Sequence, residues 1–492
     1  MSVLTAALAA LVTLASPAPR WETARAPDLR VIRRLSPRHR FVRLLVDITG
    51  DGVSGIETGL YDLATGRYVE RVAAGPVSFF DGFDGTHAWS ADATGMPIVA
   101  GNAEDRLDAL AWAHFFGRTG PERPAVIRLA HRGGERVVRL RYAGLSSPID
   151  VTLDGASGLV SVIEDDSRGE TGRSRFGDYR RVDDVLVPFR AEATTRYGPW
   201  RERVRTVTFP AEVAADAFAP PARPQDAELD GITSVPLEMR RGHPIVAIRI
   251  DDGPPLRVLF DTGSSNLLTP EAARRVGLRT TGEGKIGGMG PNVVRQRYAT
   301  AHRLTIGRAV LHDQPFSVVD DHTSGLDGAI GCEVLQRFAA RFDFRRKTVE
   351  LARDAAAFGI AAPPIAFRFS GCQPEIDGAL DGLPGAIAID TGDANALDVT
   401  APFVRKHKLI VRYRTHQIGF ADAIGGASMG FFAHAKTLRL GPVVAHDVPI
   451  VLNAAISGAM NDPAELGNAG IPVLARFVTV FDYRNSRMWL LR

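Results

Sequence analysis

The tripeptide Asp-Thr-Gly occurs twice, at Asp261–Gly263 and Asp390–Gly392, each time directly after an apolar run (Val258-Leu259-Phe260 and Ile387-Ala388-Ile389). An apolar strand pins the aspartate, glycine lets the backbone turn closely, and threonine can both donate and accept hydrogen bonds beneath the turn. One such loop is most simply an aspartate satisfied within its own turn. Two of them, at equivalent places in a duplicated structure, would bring two carboxyl groups together about a pseudo-twofold axis. Like charges that close cannot both ionise cheaply, so the pair would share a proton. The ionised member can then activate a water while the protonated member polarises a carbonyl. This chemistry needs no metal, no cofactor and no covalent intermediate.

The duplication is visible in the chain. Asp261 and Asp390 are separated by 129 positions. Gly307, His312, Asp313 and Pro315 recur 134 positions later as Gly441, His446, Asp447 and Pro449. Gly331, Leu335, Phe338, Phe342 and Asp343 recur 139 positions later as Gly470, Leu474, Phe477, Phe481 and Asp482. Three blocks in one order, with a slowly growing offset, describe a repeated domain with loop insertions. Each copy reads as an apolar strand entering Asp-Thr-Gly, Gly-rich and β-patterned segments, a short helix (Cys332–Ala340; Val473–Phe477) and a closing hairpin. The first copy adds a helix with Thr269 as N-cap, Pro270 in its first turn and Gly277 past its end.

On these residues, roughly 230–492 of the chain resemble the aspartic proteases of the retropepsin/pepsin class, including bacterial aspartyl proteases. The resemblance implies that Asp261 and Asp390 are the catalytic pair and that Thr262 and Thr391 cross-link the two loops. It implies that Gly263, Ser264 and Gly392 support the carboxylates, with a hydroxyl at Ser264 holding the outer oxygen. It also implies flaps closing over an extended peptide, at Ile286-Gly287-Gly288-Met289 and at Ile424-Gly425-Gly426. The second copy departs from the pattern: Asp393 stands where Ser or Thr is usual, and Asn468-Ala469-Gly470 replaces an apolar-apolar-Gly block. A third carboxylate beside the pair would raise its proton affinity unless directed away or paired.

Two function classes follow. One is an endopeptidase acting on a peptide or protein substrate; with both aspartates in one chain it need not dimerise, so a monomer is expected. The other is a non-catalytic peptide- or lipid-binding protein built on a decayed protease fold. Asp393 and Asn468 favour the second; the intact Asp-Thr-Gly pair and both Gly-rich segments favour the first. Pairing of two first copies in a homodimer is a weaker third reading, because the second copy keeps the whole motif order.

Other motifs read more plainly. Gly426-Ala427-Ser428-Met429-Gly430 fits a nucleophile-elbow pattern but falls in the second Gly-rich hairpin. Gly282-Glu283-Gly284-Lys285-Ile286-Gly287 fits a dinucleotide fingerprint without the helix that should follow it. His312 and His446 read as turn histidines bonded to Asp313 and Asp447. Cys332, in an apolar run, reads as a buried thiol, and with Cys372 allows at most one disulfide.

A net charge of +3 over 492 residues argues against nucleic acid as a partner. No run approaches the roughly 20 apolar residues of a spanning helix, while 49 Gly and 31 Pro suit a turn-rich β protein. Residues 1–18 resemble a secretory signal, although without a basic residue before the apolar run, and imply a secreted or periplasmic protein. Residues 19–225 read as an antiparallel β-rich domain with one helix at Ala103–Phe116 and a Pro/Ala-rich linker near 218–228. This part loosely resembles the half-barrels of bacterial lipoprotein carriers, which would make it a substrate-presenting module, a lipid-binding module or an inhibitory pro-segment; a plain β-scaffold is equally consistent. The expected organisation is mainly β: the N-terminal domain, then protease-like lobes at 226–360 and 361–492.

Overall fold

The computed structural model describes residues 22–23, 39–50, 52–100, 125–132, 134–165, 172–183, 185–320, 325–421 and 424–492. The signal-like segment at 1–18 and the helix expected at Ala103–Phe116 lie outside these residues. The chain is mainly β and divides into two compact units, at Ala222/Arg223. Among the described residues no helix is long and apolar enough to cross a membrane.

In the first unit, period-2 sequences form one antiparallel sheet of fourteen described strands. Consecutive strands pair as a meander, and Gly198–Thr208 closes back onto Phe41–Gly50. The sheet curls on itself, because Phe83 packs in one buried cluster with Val138, Leu140, Val151 and Ile163 from strands that are not its neighbours. The Pro/Ala-rich stretch is tied at both ends. Phe218 is buried and its carbonyl accepts from the Trp89 indole at 3.0 Å, while Ala227–Glu228 pairs with Leu311 and Val310 in the second unit's first repeat.

The second unit contains two sheets with the same strand order. Leu256–Phe260 lies beside His243–Ile250 on one side and pairs in parallel with Gly328–Ile330 on the other. In the second repeat Leu383–Ile389 lies between Gln373–Leu380 and the parallel strand Glu465–Ala469. Leu267–Leu268 and Leu397–Val399 then run parallel to Ala309–Val319 and Val443–Asn453. A six-stranded sheet joins the halves, three strands from each, through the pairing of Ala339–Asp343 with Val478–Asp482. Against it pack edge-to-face aromatics: Phe260 on Phe342 at 5.0 Å, and Phe342 on Phe481 at 5.9 Å.

Local chemistry explains most boundaries. Helix Pro270–Arg275 begins at Thr269, whose Oγ1 accepts from Ala272 N at 3.1 Å, and ends before Gly277 with φ +74°. The helix expected over Cys332–Ala340 is only Cys332–Leu335, because Ala339 and Ala340 are already recruited into the joining sheet. Cys332 is not a free thiol: it forms a disulfide with Cys372, a pairing across 40 residues that sequence spacing could not reveal. His312 is not in a turn either. It lies in strand Ala309–Val319 and faces Glu228 at 3.0 Å, while Asp313 receives His302 at 2.9 Å. Asp313 and Asp447 share a left-handed backbone, with φ +50° and +49°.

Candidate active site

Each Asp-Thr-Gly loop leaves the end of a central strand. Asp261 N donates to Ile330 O at 2.8 Å, and Asp390 N donates to Ala469 O at 2.9 Å. The glycine closing each parallel strand leaves room for the loop. A Cβ at Gly331 would lie 1.8 Å from Asp261 O, and one at Gly470 would lie 2.2 Å from Asn395 O.

Beneath the loops the two threonines bond reciprocally. Thr262 N donates to Thr391 Oγ1 at 3.0 Å, and Thr391 N donates to Thr262 Oγ1 at 2.9 Å. Their hydroxyls donate across the halves to Ile389 O at 2.8 Å and Phe260 O at 2.7 Å. Both threonines are fully buried, where such bonds are costly to lose. The Tyr483 hydroxyl adds a bond to Thr262 O at 3.1 Å, and His243 Nδ1 lies 2.9 Å from Gly392 O.

This frame sets each carboxyl group against the other loop's glycine: a Cβ at Gly392 would lie 2.4 Å from Asp261 Cγ, and one at Gly263 would lie 3.1 Å from Asp390 Oδ2. Gly263 N donates to Asp261 Oδ1 and Gly392 N to Asp390 Oδ1, each at 2.7 Å. Beyond those matched bonds the pair is asymmetric. Asp390 Oδ2 also accepts from Asn468 Nδ2 at 2.9 Å and, at longer range, from Gln373 Nε2 at 3.4 Å. Enclosure and the charge of Asp390 push Asp261 well above the ordinary carboxylate range.

Two supporting residues act differently from the expectation. The Ser264 hydroxyl donates to Ser265 O at 2.8 Å, so it is spent on the local chain. Asp393 does not abut Asp390 directly, because Asn468 Nδ2 sits between them, 2.9 Å from Asp390 Oδ2 and 2.9 Å from Asp393 Oδ2. Asn468 Oδ1 in turn accepts from Gln373 Nε2 at 2.8 Å. Burial and the facing carboxylate of Asp398 hold Asp393 well above the usual range. The amide thus supplies in the second repeat the outer-oxygen contact expected of a hydroxyl.

Ile286 and Gly287 end one hairpin strand and Gly288 and Met289 form its tip. This tip meets the turn Ile424-Gly425-Gly426 of the other repeat: Gly290 N donates to Ile424 O at 3.0 Å and Asn292 N to Gly425 O at 2.9 Å. A Cβ at Gly290 would lie 2.4 Å from Gly425 C, so only glycine permits this approach. Ser428 of the elbow-like motif lies in strand Ser428–Leu440, with no helix after it. The Gly282–Gly287 fingerprint lies in strand Thr281–Gly287.

Gln373, Asp398, Tyr483 and the disulfide escaped the sequence reading. Gln373 could have been found by aligning strand starts, since it occupies the position of His243 in the other repeat: His243 pairs with Arg240 and Gln373 with Ser370.

Residues 246–334 match a family model described as aspartyl protease, a segment that contains Asp261, the first hairpin and Gly331. No curated protein sequence matches the chain. Among solved structures, a LolA superfamily protein from Nitrosomonas europaea is similar at 12% identity and a TM-score of 0.29. That match covers 39% of this chain and 94% of the other.

Proposed function

We propose that the second unit is an aspartic endopeptidase acting as a single chain, with Asp261 and Asp390 as its catalytic carboxyl groups. The observation that carries this reading is the pair itself, two aspartates each set against the other's loop, with the loops locked by reciprocal threonine bonds. The aspartyl protease match over the first repeat supports the same chemistry.

The hydrogen bonds divide the labour. Asp390, with Gly392 N, Asn468 and Gln373 directed at it, is the member suited to carry the negative charge. Asp261, pushed upward by enclosure and by Asp390, is the member suited to hold the proton. Asp390 takes a proton from water as the oxygen attacks the peptide carbonyl carbon, and Asp261 gives its proton to the carbonyl oxygen. Collapse of the resulting diol returns a proton to Asp261 while the amide nitrogen takes one from Asp390 and leaves, restoring the starting state. The opposed hairpin tips would open to admit an extended peptide and close to exclude bulk water.

The Cys332–Cys372 disulfide and the N-terminal apolar segment together favour an exported protein, since disulfides persist in oxidising compartments. The decisive experiment incubates the purified chain with casein and mixed peptides between about pH 3 and 8, the range a shared-proton pair can span. Asp261→Asn and Asp390→Asn variants run alongside. Cleavage abolished by either substitution supports the reading. Loss only with Asp261→Asn would point to a homodimer, and absence of cleavage with the fold intact would leave a binding protein.

A further inference from the structure

The two halves are chemically different at the positions that pack with the hairpins. In the first repeat Leu267, Val319 and Ala329 form a buried apolar cluster against which Ile286 and Val294 of the first hairpin and Ile424 of the second pack. Strand register identifies their counterparts. Leu267 pairs with Ala329, and Asp398 pairs with Asn468. Leu267 also lies beside Ser317 and Asp398 beside Val451, which makes Val319 equivalent to Asn453. Gln296 faces Val319 and Gly430 faces Asn453, which makes Val294 equivalent to Ser428.

Leu267, Val294, Val319 and Ala329 are therefore replaced by Asp398, Ser428, Asn453 and Asn468. All four change from apolar to polar, and three of them, Asp398, Ser428 and Asn453, bond to one another. Ser428 Oγ donates to Asn453 Oδ1 at 2.9 Å, and Asn453 Nδ2 donates to Asp398 Oδ1 at 3.2 Å. Asn395, from a stretch two residues longer than its counterpart, donates to Asp398 Oδ2 at 2.9 Å. Asn468 reaches Asp390 and Asp393. A single buried polar residue without partners would be destabilising. Four that change together, three of them interlocked and the fourth bonded to Asp390 and Asp393, make a built surface.

An extended peptide lying across a pseudo-twofold axis presents side chains at equal distances on either side of the scissile bond to equivalent positions of the two halves. Resting on the peptidase reading above, we propose that the cleft is selective for an asymmetric site. An apolar side chain enters the first repeat, and a cationic, hydrogen-bond-donating side chain, Lys or Arg, enters the second at the mirrored position. Leu267, Val294 and Val319 determine the first preference, and Asp398, Ser428 and Asn453 the second.

The test is cleavage of a randomised peptide mixture with mass-spectrometric mapping of cut sites. Lys or Arg should exceed Leu at one of two mirrored positions by about 10- to 100-fold, the effect of one charge-assisted contact. Leu267→Asp with Val319→Asn should extend the basic preference to both sides, and Asp398→Leu with Asn453→Val should abolish it. Because buried substitutions can impair folding, binding to the wild-type chain forms the second arm. Uncleavable peptides bearing a hydroxyl in place of the scissile carbonyl are compared with Leu/Lys and Leu/Leu flanks. Absence of cleavage alone would count against the peptidase reading, while selective binding of the Leu/Lys form would still support the asymmetric cleft. Equal apolar preference on both sides, or no binding difference between the two peptides, overturns it.

Discussion

Removing the amide of Asn468 should move the acid limb of activity to higher pH. In the structure that amide donates to Asp390 Oδ2 and Asp393 Oδ2, both at 2.9 Å, and its oxygen accepts from Gln373. A hydrogen bond to a charged group contributes roughly 1.5–3 kcal/mol, and one pH unit corresponds to 1.36 kcal/mol, so losing the bond is equivalent to about 1–2 pH units. The sign follows from which form the donor favours. Asn468 stabilises the singly ionised carboxyl pair that activates water, so its loss makes the doubly protonated pair hold more tightly the first proton it must give up. Removing the amide also leaves Asp393 facing Asp390 unbridged, which acts in the same direction. For Asn468→Ala, the acid limb of kcat/KM should therefore rise by about 1–2 units. The base limb, set by the proton on Asp261 and lost as pH rises, should move less. Gln373→Ala, which removes the longer 3.4 Å contact to Asp390, should shift the acid limb in the same direction by a smaller amount. The assay is a pH series of peptide cleavage with a thermal melt at each pH. A stationary acid limb, or one moving to lower pH in a folded Asn468→Ala protein, would refute the assignment of charge to Asp390.

Four further outcomes follow from the geometry. Gly392→Ala would place a methyl group 2.4 Å from Asp261 Cγ and should reduce kcat by at least about 100-fold, the scale of a 1 Å misplacement; Gly263→Ala, with its nearest contact at 3.1 Å, should be milder in the same kinetic comparison. Thr262→Val strips partners from Thr391 N and Ile389 O and should cost about 2–6 kcal/mol of unfolding free energy, read by denaturant titration. Reducing Cys332–Cys372, or Cys332→Ser, should destabilise the second unit by about 3–4 kcal/mol for a loop of this length, visible as a lower melting temperature under reductant. In the first unit, burial and the nearby Glu70 raise Glu202 to about 7 from an ordinary 4.5. Its stabilising contribution is therefore complete below about pH 4.5 and lost as pH rises through about 7; calorimetry of Glu202→Gln should show a higher melting temperature than wild type at pH 8 and a smaller difference at pH 4.

Much of the second unit was legible because its signals are local or repeated. The N-cap at Thr269, Pro270 and Gly277 fixes a helix by backbone chemistry that involves only neighbouring residues. The blocks ending in Gly331 and Gly470 are legible because backbone approaches there too closely for any side chain, and the second motif's Gly392 because the Asp261 carboxyl group lies against it. The helix after Cys332 was overestimated because a helical pattern yields to strand pairing once Ala339 meets Ala352 and Ala340 meets Phe481 of the opposite repeat. Asn468 stood out as a departure, but a departure in sequence does not say where an amide points.

The sequence by itself determined the duplication, the two carboxylates and the Gly-rich segments, since each is a matter of residue type at fixed spacing along the chain. Only the tertiary structure decided how the pair is made unequal. The amide of Asn468 separates Asp393 from Asp390, Gln373 opens a strand whose preceding residue, Cys372, is bonded to the other repeat, and polar residues replace apolar ones at equivalent positions. These are contacts between segments about 20 to 95 residues apart, and their strength depends on burial and distance, quantities that no local spacing encodes.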